Sequence, residues 1–397
     1  MTQRYYPYLI VGGGMSADAA VRGIRQVDAV GTIGLIGQES DPPYNRPPLS
    51  KGLWKRMPLA RIWRNTADLG VDLHLGRTAT QLDAAAHLVT DDQGNEYTFD
   101  TLLLATGGDP IRLAPDSERL ITYRTLADYH HLRALMETGQ RFGVIGGGFI
   151  GSEMAAVLTE QGKDVTMLFP ESGICGRVLP TEISQFLNRH FTEQGVRVMP
   201  GVWARSVENS PDQVTVRTDD ETLVFDGVIA GLGIKPNLQL AQSAGLNTGL
   251  GLLAGSGIQV DAFLRTSQPH IFAAGDVALF HNATLDRMLR VEHEEHANLT
   301  GQYAGMGMAG QLTRYDYLPS VYSHAFAINY DAVGELDPRM TIVYDWQEPF
   351  QKGAAFYLAE NRVRGVLLWN ISRGLEQARA LIANPGPLHP EDLQNLF

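Results

Sequence analysis

Two glycine-rich segments, far apart in the chain, limit most strongly what these 397 residues can fold into. Each follows a short apolar run and opens an alanine-rich stretch, which is the context of the phosphate-binding turn in a strand–turn–helix unit. In such a turn the glycines allow a tight bend, close approach of a pyrophosphate, and packing of the helix on the strand. One copy alone would be weak support, but two copies predict that two dinucleotides are bound at once. The segments are Gly12-Gly13-Gly14-Met15-Ser16-Ala17 and Gly146-Gly147-Gly148-Phe149-Ile150-Gly151.

Composition and charge exclude several other classes of protein. At roughly 100–200 residues per domain the length predicts two or three domains, and 44% apolar residues are enough for their cores. A net charge of −12 argues against binding to nucleic acid. No apolar run reaches about 18 residues, and the first strand begins soon after Arg4, so we expect a cytoplasmic protein without a membrane span. Because Cys175 is the only cysteine, an internal disulfide and a two-thiol redox relay are excluded.

The coarse pattern predicts a duplicated strand–helix–strand plan, followed by a region of different character. Apolar runs give the strands, alanine-rich stretches the helices, and glycines or prolines the breaks between them. The predicted elements are strands at 8–11, 32–36, 142–145 and 165–169; a buried strand in the run 101–108 that its glycines stop, and an apolar strand at 271–276 that ends in Gly-Asp; helices at about 16–26, 152–161 and 292–308; a Pro/Asp-rich linker at 109–116; and, beyond Tyr315, strands at 326–328, 340–344, 354–357 and 363–369 with a closing helix at 374–382.

These elements predict an α/β fold class with three domains. Two are Rossmann-like dinucleotide-binding domains, and the third is a C-terminal α+β domain with an antiparallel sheet. We place the first, discontinuous domain at 1–114 and 240–317, the second at 115–239, and the C-terminal domain at 318–397.

Each glycine turn is followed by one carboxylate at the position where its dinucleotide would place the adenosine ribose. An acidic side chain about 20 residues past a glycine turn can accept hydrogen bonds from both ribose hydroxyls, and Glu39 and Glu171 meet this condition. For Glu39 a solvated carboxylate in a turn is the alternative. At the second site Glu171 would repel a 2′-phosphate, which favours NADH over NADPH. Arg177 follows closely enough in sequence to leave NADPH open.

The chain resembles the two-dinucleotide flavoprotein reductases over essentially its whole length, within the ferredoxin-reductase-like branch that includes apoptosis-inducing factor. Several stretches besides the glycine turns carry this resemblance. They are Ala105-Thr106-Gly107-Gly108, Pro43-Tyr44-Asn45-Arg46-Pro47-Pro48-Leu49-Ser50-Lys51, the segment 266–276 that ends in Gly275-Asp276, and Arg290-Val291-Glu292-His293. This last stretch, with the segments 330–334 and 365–370, is more similar to apoptosis-inducing factor than to a typical ferredoxin reductase. The resemblance implies FAD at the first glycine turn and NADH at the second.

The resemblance also implies which residues contact the cofactors. Asp276 would bind the flavin ribityl chain, Arg46 would neutralise the FAD pyrophosphate, and Lys51 would lie near flavin N5. The implied FAD residues are Gly12, Gly14, Ala17, Glu39, Arg46, Lys51, Ala105, Thr106, Gly107, Gly275, Asp276, Glu292 and His293. The implied NAD residues are Gly146, Gly148, Phe149, Ile150, Gly151, Glu153, Glu171 and Gly233.

Five residues are implied to serve the reaction itself, and three of them have a structural alternative. Glu153 would pair with Lys51 and contact the nicotinamide carboxamide, and Phe149 would stack at the nicotinamide. Trp369 would line the flavin or nicotinamide site, and the helix opening at Glu292-His293 would stabilise negative charge on the reduced flavin. The alternatives are a surface lysine for Lys51 and core packing for Phe149 and for Trp369. We expect no metal, because the two histidines of His293-Glu294-Glu295-His296 are three residues apart instead of the four a zinc-protease helix requires.

Departures from the family pattern narrow the expected chemistry. No cysteine lies near Pro48-Leu49-Ser50-Lys51, where peroxide- and disulfide-reducing relatives carry theirs. The run Val321-Tyr322-Ser323-His324 replaces a usual Phe-Trp-Ser-Asp, which puts docking of an iron–sulfur partner in doubt. A long insertion of apoptosis-inducing factor is reduced here to a short connection around 346–352.

The function predicted from sequence is that of an FAD-dependent NADH oxidoreductase. Hydride would pass from NADH to flavin N5, and electrons would go on to an external acceptor: an iron–sulfur protein, a quinone or oxygen. The alternative is a redox-sensing binding protein like apoptosis-inducing factor, whose NADH-reduced charge-transfer complex controls dimerisation or partner binding. A monomer and a homodimer both stay open.

Overall fold

A computed structural model describes residues 2–115, 117–251 and 255–397, so the end of the predicted 109–116 linker, at Asp116, lies outside the described residues. The strands are β1 (Gln3–Val11), β2 (Ile33–Gly37), β3 (Val71–Leu75), β4 (Ala79–Asp83), β5 (Leu88–Asp91), β6 (Glu96–Leu104), β7 (Gly108–Pro110), β8 (Leu120–Thr122), β9 (Arg141–Ile145), β10 (Asp164–Phe169), β11 (Arg197–Pro200), β12 (Ser206–Asn209), β13 (Val214–Arg217), β14 (Thr222–Phe225), β15 (Gly227–Ala230), β16 (Ile234–Pro236), β17 (Thr248–Gly251), β18 (Gly255–Gln259), β19 (Ile271–Ala273), β20 (Ala278–Asn282), β21 (Arg287–Leu289), β22 (Ser320–Ala325), β23 (Ile328–Gly334), β24 (Thr341–Glu348), β25 (Lys352–Ala359) and β26 (Arg362–Trp369). The α-helices are α1 (Met15–Val27), α2 (Leu126–Thr138), α3 (Phe149–Glu160), α4 (Thr181–Glu193), α5 (Gln239–Ser243), α6 (Glu294–Met308) and α7 (Leu375–Ala383).

The first of two compact units contains the first glycine turn and comprises Met1–Arg46, Pro58–Asp109 and Lys235–Pro319. Its main sheet has the order β3-β2-β1-β6-β5-β4, and β19 also pairs with β6. The pairs among β1, β2, β3, β6 and β19 are parallel, whereas β4 and β5 are antiparallel additions. β2, β19 and the carboxyl ends of β1 and β6 are buried on both faces, which explains why β1 and β6 end in continuous apolar runs.

Helices α1 and α6 of this unit pack closely because glycines remove side chains from their contact. A Cβ added at Gly301 would meet the Ser16 carbonyl oxygen at 2.3 Å, and one added at Gly305 would meet that of Ala20 at 2.1 Å. The chain therefore needs glycine at these points to bring α6 against the helix that follows the glycine turn.

The second unit contains the second glycine turn and comprises Pro47–Met57, Pro110–Ile234 and Ser320–Phe397. Its parallel sheet has the order β11-β10-β9-β15-β8, and a small antiparallel sheet is formed by β12, β13 and β14. The C-terminal part forms an antiparallel sheet in the order β22-β23-β26-β25-β24.

The predicted α/β fold class is confirmed, with both strand–turn–helix units and the C-terminal antiparallel sheet present. The domain boundaries proposed from sequence stay a prediction. Across the described residues, no helix is both long and apolar enough to cross a membrane.

Three predicted elements need correction. Residues 326–328 do not form a strand of their own: Phe326, with a φ of 53°, lies in the turn between β22 and β23, and Ile328 is the first residue of β23. Helix α3 begins at Phe149, not at 152, because Gly151 lies inside the helix and permits its close packing. Helix α6 begins at Glu294, because His293 is its extended N-cap residue.

Candidate functional site

The first glycine turn leaves the amino end of α1 open to an anion. Gly12 has a φ of 129°, and a Cβ there would meet the Ala105 carbonyl oxygen at 2.1 Å, so only glycine fits. Gly14 is the N-cap residue and supplies no side-chain cap, and a Cβ added there would meet nothing within 4 Å. Ala17 is fully buried against the sheet. The first-turn N–H groups of α1 therefore suit a pyrophosphate.

The Gly275-Asp276 segment is held beside this turn. A Cβ at Gly275 would meet Ser16 Oγ at 2.2 Å, and the Gly275 N–H donates to Thr300 Oγ1 at 3.0 Å. Nearby, Thr106 Oγ1 donates to the Asn237 carbonyl at 3.0 Å. The Asn237 N–H donates in turn to the Gly107 carbonyl at 3.0 Å. The Gly275 contacts fix the backbone beside the predicted ribityl ligand, Asp276. The Asn237 contacts hold two other predicted FAD residues, Thr106 and Gly107.

Glu39 and Arg46, predicted to bind different parts of FAD, form an ion pair with each other. The Tyr44 hydroxyl donates to the other Glu39 oxygen at 2.6 Å and accepts from Arg46 Nη1 at 3.2 Å. The Arg46 guanidinium also interacts electrostatically with Asp276. These contacts favour an ordered Glu39 carboxylate over the alternative of a solvated carboxylate in a turn. The sequence analysis gave no role to Tyr44, which bonds both members of the ion pair.

Arg290 is a second residue to which sequence reasoning gave no role. Its guanidinium, almost fully buried, donates to the Asp276 carbonyl at 2.8 Å and to Glu292 Oε1 at 2.7 Å. The Arg290 side chain therefore ties two predicted FAD residues together.

Two histidines lie at the start of α6. The Nδ1 atom of His293, the cap of this helix, accepts the Glu295 N–H at 3.4 Å. His296, one turn further on, is buried, and its Nδ1 lies 2.9 Å from the Tyr315 hydroxyl.

The second glycine turn repeats the geometry of the first. Gly146 has a φ of 114°, and a Cβ there would meet the Gly231 carbonyl oxygen at 2.3 Å. A Cβ at Gly151 would meet the Gly146 carbonyl oxygen at 2.0 Å, which is the close approach of helix and turn expected from sequence. Gly148 is an N-cap residue with open space around it, and α3 starts at the next residue.

The predicted ribose carboxylate of this turn, Glu171, is engaged by Arg177. The Arg177 Nε–H donates to Glu171 Oε1, and the arginine side chain is 78% exposed whereas that of Glu171 is 21% exposed. The Glu171 carbonyl also accepts the Gly201 N–H at 2.9 Å. Gly233, with a φ of 87°, lies in open space, and its carbonyl accepts the Ile111 N–H at 2.9 Å.

Glu153 accepts three hydrogen bonds from side chains. Its Oε2 accepts from Lys51 Nζ at 2.7 Å and from Ser50 Oγ at 2.6 Å, and its Oε1 accepts from Ser323 Oγ at 2.8 Å. Lys51 Nζ also lies 5.3 Å from the centre of the Tyr322 ring. The structure thus brings the predicted Lys51–Glu153 pair together and adds two serines for which the sequence analysis had no role.

The aromatic residues near this carboxylate differ in exposure. Phe149 is half-buried, and its ring centre lies 6.3 Å from that of Tyr330. Trp369 is fully buried, stacks on Tyr330 at 5.5 Å and donates its Nε1–H to the Phe350 carbonyl at 2.9 Å. The burial of Trp369 favours its alternative role in the core. The exposure of Phe149 leaves it available to a ligand.

Cys175 lies behind the second glycine turn. Its N–H donates to the Gly147 carbonyl at 2.7 Å, and its Sγ lies 3.6 Å from the Tyr330 hydroxyl. Burial raises the pKa of the Cys175 thiol to about 11 and raises that of Tyr330 well above its ordinary value. A protonated, buried thiol is a poor nucleophile, so its position agrees with a structural role.

The two turns fit dinucleotide cofactors, because each combines a helix amino end without a side-chain cap with a carboxylate past the next strand. Residues around Gly12, Glu39, Arg46 and Asp276 would hold FAD. Residues around Gly146, Glu153 and Glu171 would hold the nicotinamide dinucleotide. Within the described residues, no group of three or more His, Cys, Asp or Glu side chains is arranged to hold a metal ion.

Comparison with known proteins gives a consistent result. A family model described as pyridine nucleotide-disulphide oxidoreductase matches residues 6–301. The chain is 32% identical to the 5,5'-dehydrodivanillate O-demethylase ferredoxin reductase subunit of Sphingobium sp. (strain NBRC 103272 / SYK-6), over 96% of this chain and 94% of that protein. It is 30% identical to apoptosis-inducing factor 1, mitochondrial, of Dictyostelium discoideum, over 98% of this chain and 80% of that protein.

A solved structure is similar to this chain over nearly its whole length. The chain is similar to the crystal structure of the covalent putidaredoxin reductase–putidaredoxin complex, with a TM-score of 0.89, 29% identity, and coverage of 98% of this chain and 95% of that chain. The resemblance stated from the sequence, to ferredoxin reductases and to apoptosis-inducing factor, is confirmed by these similarities.

Proposed function

The chain belongs to the pyridine nucleotide-disulphide oxidoreductase family, and from this premise we propose that it transfers electrons from NADH, through FAD, to a small iron–sulfur protein. The chain is an NAD(P)H-dependent flavoprotein oxidoreductase that uses FAD. The observation that carries the proposal is the pair of glycine turns, each with an open helix amino end and a carboxylate past the next strand.

The preference for NADH rests on Glu171. Its carboxylate can accept hydrogen bonds from both hydroxyls of an unmodified ribose, and it would repel a 2′-phosphate. Arg177 is the cation that could attract such a phosphate, but its Nε–H is donated to Glu171. We therefore propose that Glu171 selects NADH both directly and by engaging Arg177.

The residues around Glu153 supply orientation and charge. FAD held by this chain would supply the chemistry of accepting hydride from the nicotinamide and of passing electrons to an acceptor. Glu153 would accept a hydrogen bond from the nicotinamide carboxamide, and Phe149 would stack at the nicotinamide. Lys51 would favour the arrival of hydride by its positive charge. No side chain is required as a general acid or base for the hydride step.

Names of relatives support an iron–sulfur protein as the acceptor. One relative is named a ferredoxin reductase subunit, and the similar solved structure is a reductase joined to putidaredoxin. At 321–324 the chain departs from the Phe-Trp-Ser-Asp run that is usual in ferredoxin reductases of this branch, so the deciding experiment compares a ferredoxin with other acceptors.

Steady-state reduction of several acceptors by the flavin-loaded protein and NADH tests this proposal. We expect a ferredoxin to be reduced with a kcat/KM well above those of a quinone and of oxygen. Faster reduction of the quinone, or of oxygen, would assign the electrons to that acceptor and overturn the iron–sulfur proposal.

A redox sensor is the second candidate, and the match to apoptosis-inducing factor over 98% of this chain favours it. Such a protein would use NADH to change its own association and would turn over slowly with every acceptor. Sedimentation of the oxidised and the NADH-reduced protein distinguishes the two candidates. A change of oligomeric state on reduction, together with slow turnover, would favour the sensor.

A further inference from the structure

The hydrogen bonds of the Glu153 carboxylate join three elements that are far apart in sequence. The carboxylate projects from the second turn of α3, Ser50 ends a short 3-10 helix at Pro47–Ser50, and Ser323 lies on β22. All three side chains are almost fully excluded from solvent, at 3% for Glu153, 5% for Ser50 and 3% for Ser323. A buried carboxylate needs such partners, because an unsatisfied one would carry a large desolvation penalty.

The donors are unequal in charge. Lys51 brings the one formal positive charge to the site, whereas Ser50 and Ser323 donate neutral O–H groups. Two neutral donors orient the carboxylate without neutralising it a second time. The carboxylate has about four lone-pair sites, of which these three donors occupy three, so one acceptor position on Oε1 is left among the contacts of the described residues.

The Ser323 side is supported in turn by the C-terminal sheet. Ser323 pairs across the strands with Tyr330, whose hydroxyl lies 3.6 Å from Cys175 Sγ. The Cys175 N–H bonds to the Gly147 carbonyl in the second glycine turn. This run of contacts links the sheet that holds Oε1 of Glu153 to the turn that starts α3. The position of Oε1 is therefore set from two directions.

We infer that Ser50 and Ser323 are positioning residues for nicotinamide binding: together they direct the remaining acceptor position of Glu153 Oε1 to the amide N–H of the nicotinamide carboxamide. This inference rests on the proposed role of Glu153. It assigns Ser323, on the C-terminal sheet, a function in recognition of the nicotinamide end of the dinucleotide and none in recognition of the adenosine end.

Calorimetric titration of the oxidised, FAD-loaded protein with NAD⁺ and with ADP-ribose tests the inference, because ADP-ribose lacks the nicotinamide. Ser323→Ala should weaken NAD⁺ binding about tenfold, as expected for the loss of a hydrogen bond to the charged Glu153 carboxylate, and should change ADP-ribose binding less than about twofold. Ser323→Thr, which keeps the hydroxyl, should restore much of the NAD⁺ affinity, and Ser50→Ala should resemble Ser323→Ala. Ser320→Ala removes another buried hydroxyl from β22 and is the matched control, with NAD⁺ binding unchanged.

Measurements in a Glu153→Ala background separate the positioning role of Ser323 from the proposed role of Glu153. If Ser323 acts through Glu153, Ser323→Ala should cause no further loss of NAD⁺ affinity in that background. Equal losses for NAD⁺ and ADP-ribose, or an undiminished effect without Glu153, would overturn the inference. A Glu153→Ala variant that binds NAD⁺ like the wild type would instead overturn the proposed role of Glu153. If Ser323→Ala lost its flavin through misfolding, Ser50→Ala and Ser323→Thr would still decide the question.

Discussion

Lys51 Nζ lies 2.7 Å from Oε2 of Glu153, and the two side chains differ in exposure, at 23% for the lysine and 3% for the glutamate. The pair is therefore an ion pair with one buried member. Removing the lysine from such a pair leaves a buried carboxylate without its counter-charge, which costs much more than breaking a surface pair. Ser50 and Ser323 would still hold that carboxylate in place.

Lys51→Ala should lower the limiting rate of flavin reduction by about tenfold or more, equivalent to about 1.4 kcal/mol in the barrier, with FAD still bound. The reason is the loss of a positive charge that favours hydride arrival at the flavin. Rapid mixing with saturating NADH measures this rate. Lys55→Ala is the control, because Lys55 is half exposed and contacts Glu160 at a looser 3.7 Å. An unchanged limiting rate in fully flavinated Lys51→Ala would place the lysine away from the reacting atoms.

Asp276→Ala should lose flavin during purification. Its half-buried carboxylate is predicted to accept a ribityl hydroxyl of the bound flavin, and removing an acceptor that a ligand covers costs about 1–3 kcal/mol. The ratio of flavin absorbance to protein measures the loss. Asp286→Ala serves as the control, since that side chain is 88% exposed. Full flavin content in Asp276→Ala would show that the ribityl chain is held elsewhere.

Glu171→Ala should narrow the preference for NADH by about 2–4 kcal/mol, since both ribose hydrogen bonds and the repulsion of a 2′-phosphate disappear. Arg177, no longer paired, becomes available to that phosphate. The double variant with Arg177→Ala should therefore lose the gain with NADPH. Values of kcat/KM for both nucleotides check this, and equal use of NADH and NADPH by the wild type would contradict the role given to Glu171.

Stability should fall between pH 6.5 and pH 4 because of His296. Burial lowers the pKa of this histidine to about 4, so the unfolded chain takes up a proton near pH 6.5 while the folded chain does not. The contribution is fully present above pH 6.5 and is lost as the pH falls through the folded pKa, by up to about 3 kcal/mol. Urea unfolding at several pH values measures it. His296→Gln, which can still bond the Tyr315 hydroxyl, should show a shallower decline, and an equal decline would exclude His296 as the cause.

Local features were predictable from sequence, because glycine turns and the strands and helices around them depend on neighbouring residues. The turns at Gly12 and Gly146 are confirmed with the geometry expected of them. Tertiary contacts were not predictable in the same way. Ser50 lies in a stretch that carries the family resemblance, and Ser323 lies in the run compared with the usual Phe-Trp-Ser-Asp, but nothing in those stretches indicates that both serines meet Glu153 when the chain folds.

Two predicted element boundaries were wrong, the strand at 326–328 and the start of α3, because the pattern of residue types does not determine the local backbone conformation. The aromatic and apolar run at 326–328 suits a strand, but Phe326 adopts a left-handed conformation and makes the turn. Gly151 suggested that the helix starts after it, whereas the missing Cβ is what lets α3 approach the Gly146 carbonyl. For Trp369, only the packed sheet shows that the indole is enclosed by Tyr330 and Phe350.

Rapid mixing of the purified protein with NADH, followed by flavin absorbance, tests the central claim most directly. We predict a yellow protein with about one FAD per chain whose visible absorbance is lost on mixing with NADH, faster than with NADPH at equal concentration. A colourless protein that cannot be reconstituted with FAD, or a bound flavin that NADH does not reduce, would contradict the assignment of this chain as an NADH-dependent flavoprotein oxidoreductase.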